Sequence, residues 1–224
     1  MKPCLLAVGL MVSAVLAVAQ DTSVQPGINR AYDGADYRRW QGMFETEGRE
    51  VFEKREAIIA ALDIRPGMAI ADVGAGTGAF SFPLARKVGI TGKVIAQDIS
   101  PEFLRGLEAR ARKENLPQLH SLLGAEREAR LAPSSVDMVF TCDTYHHFEY
   151  PQAMLASLHQ ALRPGGRLIV IDYERLPGRS SPWVLGHVRA GRETVVAEIE
   201  AAGFKWLRSH PFLRENFFIE FVRP

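Results

Sequence analysis

The chain has 224 residues, of which 47% are hydrophobic and 24% are charged. This composition is typical of one globular domain with a substantial core. The 27 basic and 26 acidic residues give a net charge of +1, so charge offers no case for a nucleic-acid partner.

The first segment of the chain differs in composition from the remainder. Lys2 is followed by an uncharged apolar run, Cys4–Ala19, that ends in an Ala-x-Ala pattern. These features are typical of a secretory signal peptide, and the run is short for a membrane span. We therefore predict a signal peptide over residues 1–19, with an uncleaved anchor as the alternative. Cleavage would give an exported domain, periplasmic or secreted, without stable membrane insertion, whereas retention would give a membrane-anchored one.

Residues 20–57 are predicted to be a lead-in followed by helices. Residues 21–33 are polar and contain Pro and Gly, which is typical of irregular structure. Helices are predicted over residues 35–44 and 47–62, the second with an apolar stripe that ends before an Arg-Pro-Gly sequence.

The next stretch is a buried strand, predicted over Met68–Val73, that breaks into three alternating glycines. Gly74, Gly76 and Gly78 are followed by the apolar spacing of a helix over about Thr77–Val88. Glycine accepts positive φ and allows a ligand to approach the backbone closely. The start of a helix offers free N–H groups to an anion. This strand, turn and helix therefore indicate a site for a nucleotide-type cofactor.

Two acids lie around this turn. Asp72 stands two residues before the first glycine. Asp98 directly follows the second predicted strand, Lys93–Gln97, and lies twenty residues after Gly78. An acid at the end of the neighbouring strand is placed to accept the hydroxyls of a ribose. In the dinucleotide-binding fingerprint, the third glycine stands one position after Gly78. Ala79 occupies that position here, so a nicotinamide cofactor remains an alternative.

Strands and helices continue to alternate up to the C-terminal region. This alternation is typical of a parallel sheet with helices on both faces. Helices are predicted over about 100–113, 151–162 and 193–202, and strands over 119–123, 136–142, 167–173, 204–209 and 216–222.

The ordered set of motifs resembles the class I S-adenosylmethionine-dependent methyltransferases. The motifs are Asp72–Gly78, Asp137–Phe140, Tyr145–Phe148 and Leu162–Leu168. The resemblance implies a methyltransferase domain over residues 58–224. Its expected fold is α/β, a Rossmann-like doubly wound sheet of seven strands, mostly parallel with the last strand antiparallel, with helices on both faces. It also implies methyl transfer from S-adenosyl-L-methionine to a small-molecule acceptor by in-line displacement.

The same resemblance implies which residues bind the cofactor. The glycine turn would hold the methionine end with help from Asp72, Asp98 would hold the ribose, and Ile99 would pack on the adenine. The full set is Asp72, Gly74, Ala75, Gly76, Thr77, Gly78, Asp98, Ile99, Glu126 and Asp143. The third strand departs from the usual Gly-Asp-Ala pattern. There, Glu126 is either an adenine contact or a solvated loop charge.

Candidate catalytic residues follow the fourth strand, at the edge where open α/β sheets bind ligands. They are Asp143, Tyr145, His146 and His147. A histidine pKa near 6.5 suits a general base, and the alternative is that these side chains shape the site. Adjacent histidines are expected to point apart, so no metal site is predicted.

Two further segments could reach an acceptor. In the family, helices before the first strand cover the site, and the 174–191 connection is long enough for a lid. Their side chains either contact the substrate, or the aromatic ones only pack in the core and the charged ones are only solvated. Those considered are Trp40, Phe44, Glu50, Arg55, Glu56, Trp183, His187 and Arg189. Cys142 is expected to be a small core residue and not a nucleophile.

Two other classes of function remain open at this point. The first is a nicotinamide-dependent oxidoreductase, against which the Arg-Pro-Gly-Gly turn and the antiparallel last strand argue. The second is a non-catalytic envelope protein that binds an adenosyl ligand. The motifs identify neither the acceptor nor the oligomeric state.

Overall fold

The computed structural model describes residues 22–224, and the predicted signal peptide lies outside the described residues. Seven strands form one sheet in the order β3-β2-β1-β4-β5-β7-β6. The strands are β1 (Ala69–Val73), β2 (Lys93–Asp98), β3 (Leu119–Leu123), β4 (Val136–Cys142), β5 (Leu162–Tyr173), β6 (Lys205–Ser209) and β7 (Asn216–Val222). β7 is antiparallel to both of its neighbours, and every other pairing is parallel. The predicted fold class is confirmed.

Eight α-helices surround this sheet in the described part of the chain. They are α1 (Tyr37–Phe44), α2 (Glu50–Glu53), α3 (Arg55–Ala61), α4 (Ser81–Val88), α5 (Pro101–Lys113), α6 (Pro151–Ala161), α7 (Pro182–His187) and α8 (Arg192–Ala201). Short 3₁₀ helices span Ile28–Tyr32 and Tyr145–His147. None of the helices within residues 22–224 has the length and apolar character needed to cross a membrane.

Apolar side chains cover both faces of the sheet. On one face, residues of α3, α4 and α5 pack on β1 and β4, as Leu84 and Leu107 do against Ile70 and Phe140. On the other face, residues of α6 and α8 pack on the same strands. A parallel sheet covered on both faces needs apolar side chains in both directions, which explains the continuous apolar runs of the central strands.

Some helix boundaries differ from prediction. The helix predicted from residue 47 begins at Glu50, because Gly48 has a φ of 89°. It is also divided at Lys54. The helix predicted from Thr77 begins at Ser81, because Gly78 has a φ of 89°. Left-handed φ values stop a right-handed helix from starting earlier.

Candidate active site

A cavity of about 480 Å³ opens at the carboxyl ends of the central strands. Its size is that of a typical small-ligand pocket, and its position is the ligand-binding edge of open α/β sheets. Its walls are formed by the loop after β1, the ends of β2 and β4, and aromatic side chains from the segments before β1 and after β5. The N-terminal segment therefore forms part of the site.

The glycine loop forms one wall of this cavity. Gly74, Gly76 and Gly78 have φ values of 72°, 55° and 89°. A Cβ at Gly74 would lie 2.1 Å from Thr144 Cγ2, and one at Gly78 would lie 2.5 Å from Phe82 Cε2. Both positions are therefore closed to side chains by their neighbours as well as by φ. Gly76 keeps the loop backbone open to the cavity.

Asp98 connects β2 to this loop. Its carboxylate accepts the N–H of Gly76 and the N–H of Ser100, each at 2.8 Å. Burial raises the pKa of Asp98 although the backbone N–H groups of residues 76, 99 and 100 favour its charged form. A carboxylate offers about four acceptor positions. Acceptor capacity therefore remains for a hydroxyl group of a ligand, and Asp98 and Ile99 both line the cavity.

Asp72 lies beneath the loop at the end of β1. Its Oδ2 accepts the hydroxyl of Ser81 at 2.5 Å, and it has no cationic partner in the part of the chain that the structure describes. Burial raises the pKa of Asp72 to about 7. A buried carboxylate without a cation is well suited to hold the ammonium group of a ligand, since that charge would offset the cost of burial.

Ala75, Thr77 and Glu126 complete the predicted cofactor side. All three line the cavity, and Glu126 is exposed at its rim. Thr77 is buried and its hydroxyl donates to Glu45 at 3.0 Å. Tyr37 donates to the Thr77 carbonyl at 2.8 Å. Tyr37 begins α1 and Glu45 follows its last residue. Their contacts with Thr77 hold the glycine loop in place, which the sequence patterns did not predict.

Asp143 also lines the cavity, and each of its carboxylate oxygens has a side-chain partner. Arg49 Nη2 lies 2.6 Å from its Oδ2, and Asn216 Nδ2 donates to its Oδ1 at 2.5 Å. Its φ is 50°, an uncommon conformation for a residue other than glycine. We conclude that Asp143 positions Arg49 at the cavity wall and is not a free base. Arg49 was not among the predicted site residues.

Two of the four predicted catalytic residues do not line the cavity, and the structure corrects that prediction. Tyr145 packs in the core with Phe148 and donates to Glu198 at 2.8 Å. His146 is buried, with Nδ1 2.7 Å from Asp172 Oδ1. Of the three residues in this 3₁₀ turn, 145–147, only His147 lines the cavity.

His147 sits on the cavity wall with its Nε2 3.3 Å from the Tyr32 hydroxyl. Its Nδ1 is buried and has no hydrogen-bond partner within the described residues. Burial lowers the pKa of His147 to about 2, and His146 and His187 act in the same direction. An imidazole of such low pKa is a weak proton acceptor at neutral pH. The predicted role of general base is therefore not supported by its surroundings.

Aromatic rings line much of the cavity, and one of them, Phe44, reaches the glycine loop, where a Cβ at Gly76 would lie 3.3 Å from its Cε2. Phe44 and Phe103 stand 6.1 Å apart, and Tyr32 lies 5.0 Å from Trp40, measured between ring centroids. Trp183, on α7, stacks on His187 at 4.6 Å. Trp40, Phe44, Trp183 and His187 were considered as acceptor contacts, and all four line the cavity.

Other candidates from the sequence lie elsewhere. Glu50 accepts backbone N–H groups of residues 214 and 215. Arg189 pairs with Glu198 at 2.8 Å, and Arg55 and Glu56 do not line the cavity. Cys142 lines it, but burial raises the pKa of its thiol well above the usual value. It is therefore a protonated thiol and not a nucleophile.

The comparisons agree with this geometry. The sheet order and the antiparallel β7 are those of the Rossmann-like methyltransferase fold. A solved S-adenosylmethionine-dependent methyltransferase from Aquifex aeolicus shares this fold, with a TM-score of 0.75 at 24% identity over 85% of this chain and all of that chain. Within the fold, residues 70–166 match the family model described as a methyltransferase domain.

Two relatives extend the similarity. Nocamycin O-methyltransferase of Saccharothrix syringae is 30% identical over 183 residues, which are 79% of this chain and 65% of the relative. An uncharacterized 37.1 kDa protein in transposon TN4556 of Streptomyces fradiae is 37% identical over 116 residues, 52% of this chain and 33% of that protein. The chain thus spans between one third and about two thirds of the length of these relatives.

Proposed function

We propose that this chain transfers a methyl group from S-adenosyl-L-methionine to a small-molecule acceptor. One observation carries the proposal. A single cavity combines the glycine loop, two carboxylates that have no cationic partner among residues 22–224, and a set of aromatic side chains. The matched methyltransferase domain and the O-methyltransferase relative support it. The antiparallel β7 argues against the nicotinamide-dependent alternative.

The residues present fit this cofactor. Asp98 keeps acceptor capacity for the ribose hydroxyls, and Asp72 lacks a cationic partner among residues 22–224. Ile99 offers an apolar surface for adenine. Gly76 would allow close approach of the ligand to the backbone. When bound, the cofactor supplies an electrophilic methyl group on a sulfonium. The protein then needs no covalent nucleophile of its own.

The chain's own residues contribute alignment and desolvation. Tyr32, Trp40, Phe44 and Phe103 form an aromatic wall that limits the access of water to the cavity. Neither Asp143, which is paired with Arg49, nor His147, whose pKa is low, is placed as a strong base. The site therefore favours an acceptor of apolar, ring-bearing character whose nucleophilic atom is activated mainly by position.

A labelled-methyl assay tests this function. The protein is incubated with S-adenosyl-L-methionine carrying a labelled methyl group and a panel of phenols, aryl amines and aryl thiols. We expect label in at least one acceptor. The rate of methyl transfer should fall at least tenfold in Asp98→Asn. The NH₂ group of the amide would face the backbone N–H of Gly76 or Ser100, and one acceptor position for the ligand would be lost.

The control is Asp63→Asn, an exposed acid at another part of the surface. It should leave transfer unchanged. Cofactor binding without transfer to any acceptor would instead support the non-catalytic adenosyl-binding protein.

We also propose that the domain is exported, either to the periplasm or as a secreted protein, or held at the membrane by an uncleaved segment. The basic start, short apolar run and Ala-x-Ala end of residues 1–19 support this. N-terminal sequencing of the natural protein should give Gln20 as the first residue. A chain retaining residues 1–19 in the soluble fraction would contradict it.

A further inference from the structure

Three of the six histidines in the chain meet beside the cavity, two of them on its wall and the third buried behind them. His146, His147 and His187 each offer a ring nitrogen, and these three atoms lie within 4.8 Å of one another. The ring centroids of His146 and His147 are 4.3 Å apart, and each lies 5.2 Å from His187. Adjacent histidines were expected to point apart. The 3₁₀ turn over residues 145–147 brings their rings together instead, and α7 adds a third.

Neighbouring groups determine which ring nitrogens remain available. His146 has its Nδ1 against Asp172, so its Nε2 is left over. His147 has its Nε2 facing the Tyr32 hydroxyl, while its Nδ1 is buried without a partner within residues 22–224. Histidines that bind metals characteristically donate their second ring N–H to a carboxylate or other oxygen. Both rings show this arrangement.

We propose that His146, His147 and His187 bind one divalent transition-metal ion of the zinc class. Imidazole nitrogen suits zinc, copper, iron and nickel, and three protein ligands with one open position is the usual arrangement of a reactive zinc site. Zinc–nitrogen bonds of about 2.0–2.1 Å require the rings to draw together by roughly an ångström. His187, half-exposed on the short helix α7, has room to make that movement.

The metal would lie at the wall of the proposed acceptor site, because His147 and His187 line the cavity. Its open position is suited to an oxygen, nitrogen or sulfur donor of a ligand in the cavity. The metal would also link α7, which follows β5, to the 3₁₀ turn that follows β4 at the ligand-binding edge of the sheet. This inference concerns metal binding by this chain and does not depend on methyl transfer.

Metal titration of the untagged protein tests the proposal without any cofactor. Protein dialysed against a chelator is titrated with Zn²⁺ by calorimetry and with Co²⁺ by visible absorption. We expect one equivalent of Zn²⁺ per chain and a Co²⁺ spectrum of a four-coordinate nitrogen site. Zn²⁺ should also raise the thermal midpoint, because a ligand that binds only the folded state stabilises it.

Two variants and one control make the result specific. His187→Gln removes a half-exposed ligand and should weaken Zn²⁺ binding at least tenfold. Tyr32→Phe removes the partner of His147 Nε2 and should weaken it about tenfold or more. His120→Gln, at an exposed histidine on β3, should bind as the unaltered protein does.

The melting curves of the chelated proteins check that each variant folds. If the unaltered protein takes up less than one equivalent with no specific Co²⁺ spectrum, the proposal is wrong. Equal binding by His187→Gln and the unaltered protein would also overturn it.

Discussion

Asp72 is buried. Among the described residues, only the hydroxyl of Ser81 donates a hydrogen bond to its carboxylate. Its pKa, raised from 3.8 to about 7 by burial, means that the folded chain holds the proton more tightly than the unfolded chain. Stability from this group is full below about pH 4 and is lost as pH rises to 7. The residue costs stability at neutral pH, which suggests selection for a ligand rather than for folding.

Asp72→Asn tests this reading. Without ligand, the variant should be more stable than the unaltered protein at pH 8, by on the order of 2 kcal/mol. The advantage should shrink as the pH falls towards 4. Urea unfolding at several pH values measures it, and calorimetry should show weaker binding of S-adenosyl-L-methionine. A variant that is less stable at pH 8 would contradict the account.

The Arg49–Asp143 pair joins the N-terminal segment to the end of β4. Arg49→Gln leaves a nearly buried carboxylate without its cation, so we expect a loss of roughly 1–3 kcal/mol, less than for a fully buried pair. The double variant Arg49→Gln/Asp143→Asn should recover part of that loss. Thermal unfolding of the four proteins in a double-mutant cycle measures the coupling, and additive losses would show that the pair contributes nothing.

Side-chain roles at the site were only partly predictable, for reasons seen at single residues. The positions of Asp72 and Asp98 at the cavity could be predicted because one strand–turn–helix unit fixes them relative to the glycines. Arg49 could not, since its partner lies 94 residues away in the chain. The burial of Tyr145 and His146 behind the cavity wall could not be predicted, because sequence order does not reveal the direction of each side chain in a 3₁₀ turn.

At the level of elements, the strands were predicted better than the helix ends. β3, β4 and β7 begin and end as predicted, because buried strands leave continuous or alternating apolar runs with turn residues at each side. α7 was missed inside the predicted lid, since a helix of 6 residues is too short to show a period. Glycine φ values set the start of α4, and the sequence alone did not specify them.

The glycine loop gives a matched pair of substitutions. Gly78→Ala meets Phe82 at 2.5 Å, whereas Gly76→Ala meets Phe44 at 3.3 Å, and both positions have positive φ. We expect Gly76→Ala to cost about 1–2 kcal/mol and Gly78→Ala clearly more. Chemical denaturation compares them. Both should reduce cofactor binding, but Gly76→Ala should do so while remaining well folded, and equal stabilities would contradict the packing argument.

At the scale of the whole molecule, the segment before β1 closes the site over the sheet edge. Gln25 donates to the His187 carbonyl, Tyr37 to the Thr77 carbonyl, and Arg110 pairs with Glu45 at 2.8 Å. These contacts link the N-terminal segment to α7, the glycine loop and α5. A cofactor bound beneath them should therefore stabilise the segment as well as the loop.

Hydrogen exchange tests this connection. Adding S-adenosylhomocysteine should slow exchange in peptides covering residues 28–49 as well as 74–80, because both border the cavity. Peptides from β6, the exposed edge strand, serve as the internal reference and should not change. Protection confined to residues 74–80 would show that the N-terminal segment does not cover the ligand.

Calorimetric titration with S-adenosyl-L-methionine, S-adenosylhomocysteine and NADH tests the central claim most directly. We predict roughly micromolar binding of both adenosyl ligands, at least tenfold weaker in Asp98→Asn and unchanged in Asp63→Asn. NADH should not bind measurably. Binding of NADH alone, or of none of the three, would contradict the assignment of this cavity to a methyl-donor cofactor.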